Sequence, residues 1–210
     1  MRSRLPMTDR TNKAKIQRLA IDAVLAALIV VLAFTPLGYL RLGALSITFI
    51  SIPVVIGAIL NGPVSGAFLG FVFGLTSFLQ CFGFDAFATA LFSINPFYYA
   101  VMCFVPRILM GLFCGLIYEA LSKKSKYSVL NFSVTSLAGG VLNTVLFVGA
   151  LVLFFGRSEY MQQFGKSIPA IIGALVTVNA VVEWIACVVI GTAVSKALTA
   201  FMKRSHIKKK

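Results

Sequence analysis

Residues 96–155 read PFYYAVMCFVPRILMGLFCGLIYEALSKKSKYSVLNFSVTSLAGGVLNTVLFVGALVLFF. Pro96 suits the first turn of a helix, where its missing N–H costs nothing, and the apolar sequence that follows continues to near Leu121. Ser122-Lys123-Lys124-Ser125-Lys126 then breaks the pattern completely, and a second apolar run extends from about Val129 to Phe155. Each run exceeds the roughly 20 residues that cross a bilayer's hydrocarbon core. Two long apolar segments joined by a short basic loop are an antiparallel pair of membrane-spanning helices.

The same reading extends to both sides. A first apolar segment runs from about Leu19 to Phe34 and stops at Thr35-Pro36-Leu37-Gly38, where proline and glycine favour a turn. A shorter one, about Ile47 to Leu60, turns at Asn61-Gly62-Pro63 into a third, about Val64 to Leu79. A polar-flecked loop containing Asp85 leads to Asn95-Pro96, and after the polar stretch 156–167 a last apolar segment runs from about Ile168 to Leu198. No extended alternation of apolar and polar residues argues for a barrel. The expected architecture is an all-α integral membrane protein of six transmembrane helices: a basic amino-terminal segment over 1–18, a membrane domain over 19–200 and a basic tail over 201–210.

Composition agrees. Of 210 residues, 59% are hydrophobic and 12% charged, too apolar a balance for a chain in water and leaving no room for a soluble domain. A net charge of +13 in a soluble protein would point to nucleic acid, but here the cations gather at the two ends and in the 122–126 loop, the distribution of membrane topology. Six crossings put both termini and that loop on one side, and the opposite loops, 35–46, 80–95 and 156–167, carry only Arg41, Arg157 and Lys166. The positive-inside bias therefore places both termini in the cytoplasm of a multi-pass cell-membrane protein. The basic amino end followed by an apolar run imitates a secretory signal, yet the run is long and no small-residue cleavage site stands out, so it is kept as the first span. Cys81, Cys103, Cys114 and Cys187 fall singly and read as small packing residues.

Arg107 and Glu183 are the charges placed deep inside spans, where a charge costs at least roughly 2.5 kcal/mol. Counted from the outer ends at about 1.5 Å per residue, Arg107, Asn143 and Asn179 each lie about 16 Å deep, with Glu183 one turn below Asn179. Two readings explain this shared level. A pocket opening outward would let each group meet water or ligand, whereas an internal Arg107–Glu183 ion pair with asparagine contacts would merely brace the bundle. The outward loops hold Tyr39, Arg41, Phe82, Phe84, Phe87 and Tyr160, which could close over a bound molecule or anchor the protein at the interface. Gly62, Gly66, Gly70 and Gly74 form a small-residue stripe, as do Ala23 and Ala27, and such stripes serve either internal packing or the docking of a partner. Gly165-Lys166-Ser167 imitates the end of a phosphate-binding loop, but Tyr160 stands where the first glycine belongs. His206 is the single histidine, so neither a metal-ligand cluster nor a nucleophile–base arrangement emerges, and neither an enzyme nor a cofactor is expected.

The stretch from Thr35 to Gly70, TPLGYLRLGALSITFISIPVVIGAILNGPVSGAFLG, resembles the substrate-binding S component of energy-coupling factor (ECF) vitamin transporters. Phe73-Gly74-Leu75-Thr76-Ser77, Ser93-Ile94-Asn95-Pro96, Pro106-Arg107-Ile108-Leu109-Met110-Gly111 and Gly139-Gly140-Val141-Leu142-Asn143-Thr144 continue the likeness over most of the chain. The resemblance implies a six-helix subunit that captures a water-soluble vitamin or precursor from outside, with loops one, three and five and helices four to six as its site. That site would draw on Arg107, Asn143, Asn179, Glu183, Asn95, Tyr39 and Arg41. It further implies association with a membrane coupling subunit and two cytoplasmic ATPases, to which Ala23 and Ala27 correspond as a docking motif. The likeness is strongest to the pantothenate subgroup, with riboflavin, folate or a thiamine precursor as alternative cargo. The reading from a different class is a structural or regulatory membrane protein without a small-molecule ligand.

Overall fold

A computed structural model describes residues 7–35, 38–42, 45–124, 128–163, 167, 169, 173 and 178–204. Helix α1 (Met7–Ala33) takes in part of the basic amino-terminal segment and carries the first apolar run. A two-stranded antiparallel hairpin follows, β1 (Tyr39–Leu42) with β2 (Leu45–Thr48), in which Tyr39 pairs with Thr48 and Leu42 with Leu45. The second apolar segment was expected from about Ile47; Ile47 and Thr48 instead belong to β2, and helix α2 is confined to Ser51–Asn61. Among the described residues, four helical stretches are long and apolar enough to cross a bilayer: Lys15–Ala33, Pro96–Lys124, Ser128–Phe155 and Ala180–Phe201. Where the second and third crossings were expected, the chain forms shorter apolar helices, α2 and α3 (Pro63–Leu79).

The chemistry of the α2–α3 turn explains where α2 stops. Gly62 adopts φ 97°, a conformation that side-chain-bearing residues rarely take, and Pro63 opens α3 at a position that needs no N–H. Asp22 of α1 secures this turn from the side. Its Oδ1 accepts from Asn61 Nδ2 at 2.7 Å and from the Ser65 hydroxyl, and Asn61 Nδ2 also reaches the Arg18 carbonyl at 3.1 Å.

The 80–95 segment, expected as a loop, contains a helix, α4 (Ala86–Ile94). Asp85 provides the reason: its carboxylate accepts from the Phe87 and Ala88 backbone N–H groups at 2.8 and 3.2 Å, satisfying the orphan donors of a helix start. Asn95 then separates α4 from α5 (Pro96–Lys124), and α6 (Ser128–Phe155), the short α7 (Glu159–Gln162) and α8 (Val178–Arg204) complete the order.

Helix α2 lies at the centre, with Ser51 through Ile59 all buried, in contact with α1, α3, α5, α6 and α8. An enclosed helix has little room for polar residues, which is why Ile52 through Leu60 carry no polar side chain. Among the described elements the most extensive pairing is α3 against α5. A Cβ placed on Gly66 would overlap the Gly111 carbonyl, one on Gly70 the Arg107 carbonyl, and one on Gly74 would come within 2.9 Å of the Cys103 carbonyl. The glycine stripe is thus an internal seam rather than a docking face, and Gly111 and Gly115 answer it from α5, against Gly66 and Pro63. All four cysteines are buried and free.

Candidate functional site

Two hydrophobic clusters divide the interior. One is largely aliphatic and joins α1, α2 and α3 to Met110, Cys114, Phe132 and Cys187. The other, at the end bearing α4 and α7, is rich in rings and gathers Leu91, Tyr99, Met102, Leu151, Phe155 and Met161 with Phe78, Phe87, Phe92, Phe147 and Tyr160 packed against them. Arg107 falls between Cys103 of the ring-rich cluster and Met110 of the aliphatic one. Asn143 on α6 and Glu183 on α8 occupy the same boundary, and the three residues are only 6–7% exposed.

Arg107 is held by cation–π contacts and one hydrogen bond. Its guanidinium carbon lies 4.4 Å from the centre of the Phe147 ring and 5.4 Å from that of Phe73, within the range of favourable cation–π attraction. Nη1 donates to the Met102 carbonyl at 2.7 Å, whereas Nε is buried without a hydrogen-bond partner among the described residues. Glu183 draws its contacts from elsewhere. Its Oε1 accepts from Asn143 Nδ2 at 2.8 Å and from the Ser51 hydroxyl at 3.3 Å, and Ser51 Oγ in turn lies 3.4 Å from Cys187 Sγ. No ion pair joins Arg107 to Glu183 among the described residues; the carboxylate bridges α2, α6 and α8 while the cation rests between α3 and α6.

This division has a chemical consequence. Asn143 spends its amide N–H on Glu183, and its Oδ1 is buried with no partner among the described residues. The level therefore offers one guanidinium N–H and one amide acceptor that nothing in the described chain satisfies. Buried polar atoms left unpaired cost roughly 1–3 kcal/mol each, and such atoms are paired in most folds. A guest carrying an anionic oxygen and an N–H or O–H matches this pair of groups.

The remaining sequence candidates fall differently. Asn95 caps α5: its Oδ1 accepts from the Tyr98 N–H at 3.1 Å while its carbonyl accepts from Tyr99. Tyr39 and Arg41 lie on β1, and Asn179 at the start of α8; the side chains of all three lie outside the described residues. Ala23 and Ala27 are exposed on α1, on a flank that also exposes Leu19, Val24 and Val31. Among the loop aromatics, Phe82 and Phe84 are exposed, and Phe87 meets Tyr160 at 5.9 Å between ring centres.

Sequence reasoning missed Ser51, Phe73 and Phe147. Ser51 left a signal as a lone hydroxyl at the head of an apolar helix, and Phe147 lies one turn beyond Asn143 on the same face of α6. Tyr99, whose hydroxyl donates to the Ser77 carbonyl at 2.9 Å, and Gln80, which reaches the Ala33 carbonyl at 2.9 Å, tie α3 to α5 and to α1 just above the site.

Comparison with known proteins bears on this arrangement. Residues 17–195 match the family model described as "ECF transporter, substrate-specific component". The chain is 30% identical over 201 residues to the pantothenic acid transporter PanT of Lactococcus lactis subsp. cremoris, covering 90% of this chain and 96% of that protein. It is 29% identical over 206 residues to the pantothenate transporter PanT of Leuconostoc mesenteroides subsp. mesenteroides, covering 94% of this chain and 98% of that protein.

Proposed function

Because the chain belongs to the family of ECF transporter substrate-specific components, we propose that it captures pantothenate at the polar level of Arg107, Asn143 and Glu183. The observation that carries this reading is the pair of buried groups at one level, Arg107 Nε and Asn143 Oδ1, that have no partner among the described residues. Pantothenate brings a carboxylate for the guanidinium and an amide N–H and hydroxyls for the asparagine and its neighbours, and charge-assisted bonds of this kind are the strong ones. The names of the two relatives, both pantothenate transporters, support the same cargo.

The expected arrangement in the membrane has six crossings, with α2 and α3 as the second and third, both termini in the cytoplasm, and the hairpin, α4 and α7 facing outward. The ring-rich cluster then lies between the outside and the site. Ala23 and Ala27, exposed on α1, form the docking face for a membrane coupling subunit that works with two cytoplasmic ATPases. Asn95 acts on the site by setting the start of α5, and Tyr39, Arg41 and Asn179 complete the ligand shell.

Equilibrium binding to the purified protein tests the reading. Labelled pantothenate should bind saturably and be displaced by unlabelled pantothenate but not by riboflavin, folate or a thiamine precursor. Arg107→Lys keeps the charge and loses the planar fork, and is expected to weaken binding by tenfold or more, about 1.4 kcal/mol. Absence of saturable binding to any water-soluble vitamin would overturn the proposal. A structural role resting on an Arg107–Glu183 pair has no geometric support among the described residues.

A further inference from the structure

Away from the polar level, α6 and α8 enclose an open groove of about 680 Å³ near the end of the bundle that carries the basic loop and the basic tail. Its α6 wall is Val129 and Ser133, in the first two turns of that helix, and its α8 wall passes from Val188 and Val189 to the small Ala193, Ala197 and Ala200. Lys196 projects here. It is exposed, it lies within the apolar stretch Ala180–Phe201, and no carboxylate pairs with it among the described residues. A lysine inside a lipid-facing stretch is costly unless it reaches the interface or meets an anion.

We propose that this groove holds one anionic phospholipid, with Lys196 on the phosphate and an acyl chain along the alanine wall. Three features select that occupant. The groove is bounded by apolar side chains along most of its length, which a free inorganic anion would leave uncovered. Lys196 lies eight residues before Arg204, about 12 Å along the helix, so its flexible stem brings the ammonium within reach of the headgroup layer. Thr192 donates to Ser133 Oγ at 3.2 Å, and Ser133 donates to the Val129 carbonyl at 3.1 Å. Both hydroxyl protons are thereby committed, and the lone pairs left over accept from a headgroup that carries hydroxyls of its own. Anionic lipid, basic groove and basic flanking segments share the attraction expected at a cytoplasmic leaflet.

The test uses the full chain reconstituted in nanodiscs of phosphatidylcholine with increasing phosphatidylglycerol of the same chain length. Native mass spectrometry of the released protein is expected to retain one phosphatidylglycerol in preference to phosphatidylcholine. Lys196→Ala should lower that retention about fivefold, the factor belonging to one basic residue at an anionic surface, while Lys196→Arg keeps it. Vitamin binding by both variants should equal that of the parent chain, which also shows that they fold. Equal retention of the two lipids, or unchanged retention by Lys196→Ala, overturns the proposal. So does displacement of the lipid by inorganic phosphate, which would make the groove a soluble-anion site. Crosslinking of Ala197→Cys to the coupling subunit in the assembled transporter would likewise overturn it by assigning the groove to a protein partner.

Discussion

The two halves of the bundle are held together by different means. Below the polar level, backbones meet directly: Gly66 and Gly111 rest on each other's carbonyls, and Gly115 packs on the Pro63 backbone. Above it, rings meet rings. Phe78 alone contacts Phe82, Phe92, Tyr99 and Phe104 at 5.7–6.1 Å between centres, and Tyr98 stacks on Phe154 at 5.1 Å. Lipid is as apolar as leucine, so helices in a membrane gain little from hydrophobicity and rely on close packing. A glycine seam gives that packing one geometry, whereas aromatic pairs retain favourable contacts over a range of angles and separations. Precision therefore follows the α3–α5 seam, which reaches as far as Gly74 on the Cys103 carbonyl, and adaptability belongs to the ring contacts around its upper end.

Substitutions probe this contrast. The largest effect is expected from Gly70→Leu, which drives a side chain into the Arg107 carbonyl and should cost about 3 kcal/mol in detergent-solubilised stability, read by thermal unfolding. Glu183→Ala should follow at about 2 kcal/mol, since it strips acceptors from Asn143 and Ser51 at the boundary itself. Glu183→Gln, which keeps an oxygen in place, should recover most of that loss. Tyr99→Phe removes the bond to the Ser77 carbonyl and should cost about 1 kcal/mol, measurable as faster amide exchange at the end of α3. Phe82→Ala lies at the exposed edge of the ring-rich cluster and should change stability by no more than about 0.5 kcal/mol. If Phe82→Ala proved as damaging as Gly70→Leu, the contrast between the halves would fail.

How much of this could be read beforehand follows from what hydropathy measures. Length and apolarity mark α5 and α6 plainly, and a charge such as Arg107 stands out in an apolar run, so Arg107 and Asn143 were legible as residues of similar depth, whereas the expected third member, Asn179, has its side chain outside the described residues. Depth does not specify rotation about the helix axis. Whether Glu183 meets Arg107 or Asn143 depends on how α6 and α8 are turned, and that is decided by packing such as Gly140 on Trp184. The glycine stripe had a readable partner in Gly111 and Gly115 at the same four-residue spacing, which would have assigned it to internal packing. The short α2 could not be separated from β2 by apolarity, because a buried strand and a buried helix share that signal. Asp85 followed by Ala86-Phe87-Ala88 was a helix start hidden in a segment short enough to pass for a loop.

The seam between α3 and α5 sets a step size. Gly66, Gly70 and Gly74 recur at one-turn intervals against Gly111, Arg107 and Cys103, so a slide of a single residue would bring Leu69 or Phe73 onto a carbonyl that only glycine clears. The two helices can therefore keep register or jump by a whole turn, about 5.4 Å or more, with no stable stop between. Arg107 rides on that indexed track, so the seam also sets its height relative to Phe73. Adjustments finer than one tooth must come from the ring contacts beside the seam, where pairs such as Phe78 with Phe82 and Phe92 hold no fixed register.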